Sequence, residues 1–405
     1  MLDRPSTFRR AHPFVLGMAF LSTYYVALLG PILPAIAEPM GGTALSLGVL
    51  FSAYSLAQFV SAPFLGALGD RFGRRVVMLG SIGGALIGFL IFTVGAILGV
   101  GLWVLFVGWM IVGACDCWLA TAFSYVADTT ELTQRTRFFA YVTAAIGSAF
   151  IVGPLTSGVF GAVSPVLPLY VLLAAFTAAL AIGVFSMPET LPLEMRASSL
   201  TATQLNPLIQ IRDILRLPHL RLLLVSFFLY WPSTLALTTN LPVLLNERVD
   251  WGAGRISGLL LLYGVLLVLV QLVVIPNVAG RISEMHVAVA GAAVSAAAFV
   301  VLAFFASTLW IPLVYVGTVL FGIGQPLVQT SITATVSKSV TVDMQGRAQG
   351  ALASTMAMAQ VVGPILIGWL YVAGGPAFPY WTIVAQILIA LGVMLFAIPR
   401  LASRL

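Results

Sequence analysis

The chain alternates long solid apolar runs with short polar connections. The runs fall at 11–36, 46–68, 75–98, 101–126, 137–161, 166–187, 219–245, 256–279, 285–306, 309–336, 346–372 and 378–400. Crossing the hydrocarbon core as a helix takes about 20 residues, so each run predicts a membrane span. A membrane β-barrel is excluded, because its strands are short segments of alternating polarity. The first run lacks a small-residue cleavage site and reads as a full span rather than a signal peptide. One long polar segment, Pro188 to Leu217, separates two sets of six runs. The expected architecture is an all-α integral membrane protein of 12 transmembrane helices, built as two pseudo-symmetric six-helix bundles at 1–187 and 218–405. The segment 188–217 is the expected cytoplasmic linker, with Pro207 to Leu217 lying on the interface as a short amphipathic helix.

Composition agrees with this pattern and charge orients it. The 405 residues are 60% hydrophobic and 8% charged, against about 25% charged in soluble domains. Of the 19 Lys and Arg residues, 17 fall on one face of the expected topology; only Arg248 and Arg255 fall on the other. The positive-inside rule places the 17, and both termini, in the cytoplasm. The net charge of +6 then reflects topology and anionic headgroups rather than nucleic-acid binding. Cys115 and Cys117 are two apart on one expected helix and point to different faces, so they do not read as a disulfide.

The two sets repeat. Arg137 to Arg347, Val152-Gly153-Pro154 to Val362-Gly363-Pro364, Gly158 to Gly368, Gly48 to Gly258 and Arg71 to Arg281 are all separated by 210 residues. Shared packing requirements explain one such match but not a constant offset. Parallel repeats of this kind imply a carrier with its site between two halves and alternating access.

The stretch GALGDRFGRR, Gly66 to Arg75, closes the second span. Glycines there permit a tight turn, the arginines hold the loop at the surface, and Asp70 is expected to bond free backbone amides at a neighbouring helix start. This spacing resembles the loop signature of the major facilitator superfamily. The resemblance implies a conformational switch made of Gly66, Asp70, Arg71, Gly73, Arg74 and Arg75, with Asp128 as the partner of Arg74 and Arg137 nearby. GSAFIVGPLTSG resembles the fifth-span signature of proton-coupled antiporters in that superfamily, which implies export and assigns the motif to Gly147, Gly153, Pro154 and Gly158. The stretches GPILPAI, SYVADTT, GIGQPLVQ and MQGRAQGALAS extend the likeness to the tetracycline/proton antiporter branch over nearly the whole chain.

The chain departs from that branch at its charged positions. Ser22 stands where the branch carries a first-span aspartate, Gly88 where it carries a third-span one, and Trp109 where it carries a fourth-span arginine. Asp116 is the only one of 13 acidic residues near a span centre. A low-dielectric cavity favours the neutral form of a carboxylic acid, and an ionisable residue inside the membrane is a functional candidate. Asp116 is therefore expected to couple transport to protons or to meet a cationic substrate; the plainer alternative is a structural acid.

The superfamily's cavity is lined by the first, fourth, seventh and tenth spans. Here these carry Tyr24, Tyr25, Trp118, Tyr230, Trp231, Thr238, Asn240, Gln325 and Gln329, joined by Gln58 and Gln360 from the second and eleventh. Such amides and rings suit an amphipathic, partly aromatic cargo. No phosphate-binding G-x-x-x-x-G-K-[ST] motif is present, and neither a cofactor nor a metal is expected. The expected partners are a small-molecule substrate, protons and membrane lipid, for a chain read as a monomer in a bacterial inner membrane. The expectation is an exporter, not an enzyme. The rivals are an uncoupled facilitator of the same fold and, further off, an integral membrane enzyme, for which no cluster of acids or histidines is apparent.

Overall fold

The computed structural model describes residues 4–116, 118, 132–189, 196, 218–278, 281–339 and 345–402. Every regular element there is helical. The first half holds α1 (Arg4–Ala37), α2 (Ala44–Phe72), α3 (Arg74–Leu98), α4 (Leu102–Cys115), α5 (Leu132–Gly161) and α6 (Leu167–Ser186). The second opens with α7, which runs through Pro218–Tyr230, Pro232–Leu235, a π-helical turn at Ala236–Asn240 and Leu241–Val249. Helix α8 has three pieces: Ala253–Leu269, a second π-helical turn at Val270–Val274, and Ile275–Val278. Then follow α9 (Glu284–Thr308), α10 (Ile311–Lys338), α11 (Gln345–Gly374) and α12 (Phe378–Ala402). Eleven of these helices are long and apolar enough to cross a membrane, and α4 is a shorter apolar helix. The chain is thus an all-α, multi-pass membrane protein. The second part of the expected fourth span, most of the linker and Cys117 lie outside the described residues.

Contacts divide the chain into two units, Met1–Gly41 with Ala53–Asn206, and Gly42–Ser52 with Pro207–Leu405. The opening turns of α2 therefore group with the second unit. In the first unit α1 packs along α5 and α6, while α3 packs on α4 and α6. The second repeats the scheme: α7 packs on α11 and α12, and α9 on α10 and α12.

Lipid tails are as apolar as leucine, so helices within a membrane associate through close packing of small residues. A Cβ built on Gly88 of α3 would lie 2.7 Å from the Gly108 carbonyl oxygen of α4, and one on Gly108 would lie 2.6 Å from the Gly88 oxygen. The second unit also has a glycine-on-glycine crossing, between Gly291 and Gly324 at 2.8 and 2.7 Å, though the positions 210 residues on from Gly88 and Gly108 are Ala298 and Thr318. Large apolar side chains such as Trp103, Phe185 and Leu272 point outward, which suits a hydrocarbon surrounding.

Candidate functional site

Helix α4 is apolar and ends after 14 residues, short of the roughly 20 that a membrane crossing takes. Its last residue is Cys115, and Asp116 leaves helical geometry at φ −80°, ψ 87°. The break turns the Asp116 carboxylate toward the backbone N–H of Trp118, which donates to it, in the manner of an N-cap. Three side chains converge on Oδ2 of the same carboxylate. Tyr25 of α1 donates at 2.7 Å, Tyr54 of α2 at 2.5 Å and Gln58 of α2 at 2.7 Å. The Tyr25 and Tyr54 hydroxyls also hydrogen-bond each other. Asp116 keeps only 7% of its surface exposed, and burying a carboxylate this deeply is tolerable because hydrogen-bond donors surround it.

Aromatic rings close the space around these groups. Tyr25 meets Trp109 and Trp118 edge-on, with centroids 5.7 Å apart in each case, and Tyr54 lies 5.0 Å from Trp109. Phe89 of α3 and Phe176 of α6 complete the packing against Tyr25. The site therefore draws on five helices of one unit.

Of the residues expected to line a cavity, this cluster gathers Tyr25, Gln58 and Trp118 around Asp116. Tyr24 turns away, with its hydroxyl 3.1 Å from Thr156 and its ring stacked on Phe20. In the second unit, Tyr230 is buried with its hydroxyl 2.8 Å from Ser295, and Trp231 packs on Phe227. Thr238 donates to the Thr234 carbonyl. Gln325 donates to Gln329 at 2.7 Å along α10. Asn240, in the π-helical turn, lines a narrow cavity with Gly48, Val243 and Pro364. Gln360 is half-buried on α11.

Tyr54, Phe89 and Phe176 were not anticipated from the sequence. A signal for Tyr54 was present: it sits four residues before Gln58, on the same face of α2.

The departures from the antiporter branch have physical counterparts. No side chain fits at Gly88, because the Gly108 oxygen occupies the space. Trp109 fills a buried aromatic position and is 1% exposed. Ser22 turns its hydroxyl back to the Ala19 carbonyl at 2.7 Å. Among the described residues no group of three His, Cys, Asp or Glu side chains forms.

The loop after α2 differs in detail from expectation. The carboxylate that meets free backbone amides there is Glu189, not Asp70. Its oxygens accept from the backbone N–H groups of Arg74 and Arg75 at 2.9 and 3.2 Å. A carboxylate is favoured at that end of α3 by the unpaired amides and the helix dipole. Asp70 instead pairs with the Arg74 guanidinium at 2.6 Å. Gly73 is required twice: its φ of +108° disfavours a side chain, and a Cβ would meet Glu189 Oε2 at 2.2 Å. Arg75 donates to the Val184 carbonyl at 2.6 Å, tying the loop to the end of α6. Gly66 and Arg71 are exposed on α2. Asp128, the expected partner of Arg74, lies outside the described residues, as does the side chain of Arg137. In the fifth-span motif, Gly153 brings α5 within 3.0 Å of the Leu28 backbone nitrogen of α1, measured from a built Cβ. One turn on, Ser157 donates to the Leu28 carbonyl at 2.5 Å. Pro154 is buried beside Gly153, while Gly147 and Gly158 are half-buried.

The described residues form two similarly packed sets of apolar helices, one enclosing a polar cluster, and the relatives of such a chain are transporters rather than enzymes. The chain belongs to the Major Facilitator Superfamily, whose family model matches residues 15–357 and 277–404. It is 32% identical over 368 residues to the class C tetracycline resistance protein of Escherichia coli, covering 89% of each chain. With the class B tetracycline resistance protein of Escherichia coli it shares 28% identity over 375 residues, 90% of each. Its fold matches the crystal structure of the human organic anion transporter MFSD10 (TETRAN) with a TM-score of 0.72 at 23% identity, covering 96% of this chain and 100% of that one.

Proposed function

We propose that the chain is a secondary active exporter that moves a small amphipathic organic molecule out of the bacterial cytoplasm in exchange for protons. Asp116 is the proton-coupling residue. The observation that carries this reading is Asp116, the one buried carboxylate among the described residues, held by two hydroxyls that can follow its protonation. The curated relatives, named as tetracycline resistance proteins, support export of a drug or drug-like metabolite. Ser22 and Gly88 at the branch's acidic positions argue against a metal-chelated cargo, since hard cations take several oxygen ligands.

In this reading residues 1–187 and 218–405 act as two bundles that alternate access, joined by 188–217, with both termini cytoplasmic in the inner membrane. The loop from Gly66 to Arg75 with Asp128 and Arg137 is the switch, and the fifth-span motif from Gly147 to Gly158 is the bend that sets export. Tyr24, Gln58, Tyr230, Trp231, Thr238, Asn240, Gln325, Gln329 and Gln360 supply the cargo's surroundings. The protein works as a monomer.

Asp116→Asn tests the coupling. In vesicles, substrate-driven proton movement is expected to fall to background, and unchanged movement would overturn the assignment. A susceptibility screen in a pump-deficient bacterium identifies the cargo. The second reading, an uncoupled facilitator, is favoured by Ser22, Gly88 and Trp109 at the branch's charged positions. It predicts cargo flux with no proton movement in the unaltered protein.

A further inference from the structure

The oxygens Tyr25 Oη, Tyr54 Oη and Asp116 Oδ2 form a triangle in which every edge is a hydrogen-bond contact. With Asp116 ionised, the two tyrosines supply two protons for three edges. Both point at Oδ2, and the edge between the tyrosines holds none. With Asp116 protonated there is one proton for each edge. The carboxyl O–H donates to one tyrosine, that tyrosine donates to the other, and the second donates back to Oδ2. The cluster thus accommodates one added proton by turning one tyrosine hydroxyl from Oδ2 to the other tyrosine. Gln58 differs, because its Nε2 faces Oδ2 and an amide nitrogen donates only.

Hydrogen-bonding side chains and aromatic rings surround the carboxylate among the described residues. Among the described residues of the helices packed at this point, the titratable groups facing Asp116 are Tyr25 of α1, Tyr54 of α2 and the adjoining Cys115 of α4. Helices α3 and α6 contribute the uncharged rings of Phe89 and Phe176. No Lys, Arg or His pairs with the carboxylate among the described residues. The ring of Tyr25 packs against those of Tyr54, Trp109 and Trp118, and the ring of Tyr54 against that of Trp109.

We propose that Tyr25 and Tyr54 are the proton-sharing partners of Asp116, so that the ion taken at this site is a proton held jointly by three oxygens, with either tyrosine able to accept it. This rests on the reading of Asp116 as the coupling residue. It adds two positioning residues.

Infrared difference spectra between acid and alkaline pH, taken on the full-length protein in lipid vesicles, test the sharing without a known cargo. Acidification is expected to raise a carboxyl C=O band that Asp116→Asn abolishes. Tyrosine C–O bands move with the same midpoint, each single variant Tyr25→Phe or Tyr54→Phe removing about half of that tyrosine signal. The single variants displace the midpoint by less than about twofold in proton concentration, because the remaining hydroxyl serves, whereas the double variant displaces it by at least about tenfold. A carboxyl band titrating without any tyrosine change would overturn the sharing, and so would single displacements that multiply to the double one. If the double variant fails to fold, the tyrosine bands of the single variants decide alone. Failure of the underlying reading looks different: Asp116→Asn then leaves substrate-driven proton movement intact.

Discussion

The two halves share a packing scheme and differ in what they enclose. The α3–α4 and α9–α10 crossings are built alike, glycine backbone against glycine backbone. Within the first half this frame surrounds an acid, two tyrosines and an amide at a helix break. Within the second it surrounds neutral contacts, Tyr230 with Ser295 and Gln325 with Gln329. Pro326 stands 210 residues after Asp116, and Leu235 and Gly264 stand in register with Tyr25 and Tyr54. Among the described residues, two similarly packed sets of helices thus differ in interior charge, because backbone packing and interior chemistry are set by different residues.

The sharpest comparison is between duplicated glycines. A Cβ on Gly48 would lie 2.2 Å from the Pro364 carbonyl oxygen, whereas one on Gly258 meets nothing within 4 Å. Gly48→Ala is expected to cost about 3 kcal/mol through overpacking against backbone. Gly258→Ala is expected to be neutral or to stabilise by up to about 1 kcal/mol through helix propensity. Thermal unfolding in detergent reads both; equal effects would break the comparison. A smaller contrast concerns the helix ends. Glu189→Gln removes the anionic cap of α3 and should cost about 1 kcal/mol in the same assay. Smallest is Lys338→Ala, which breaks the exposed pair with Glu284 at the end of α10. Its effect should stay below about 0.5 kcal/mol and vanish at high salt.

Hydropathy made the span positions legible, since each helix here must be apolar over its whole length, and Asp116 stood out as a charge inside such a run. The partners of Asp116 were less legible. Tyr25 and Tyr54 lie 91 and 62 residues from it, and no local period links such distant positions. Tyr24 and Tyr25 could not be ranked from sequence, because which neighbour faces inward depends on helix rotation. The break at Asp116 was hidden for a related reason: GACDCWLA contains no proline, and the turn arises where the carboxylate competes for backbone amides. At the loop after α2, Asp70 was the nearer acid in sequence, but Glu189, 115 residues beyond Arg74, is the one the fold delivers to the amides.

The wide turns in α7 and α8 have a consequence for reading the duplication. Each holds a hydrogen bond spanning five residues, from Leu241 to Ala236 and from Ile275 to Val270, while α1 and α2 run as uninterrupted α-helices. One such turn accommodates an additional residue, and each residue of an α-helix advances the azimuth by about 100°. Beyond residues 240 and 274, positions in register along the chain point in directions about a quarter-turn apart from those of their forerunners. Correspondence in the alphabet of the chain is thereby uncoupled from correspondence in orientation, so positions that keep the offset of 210 can still present unlike faces.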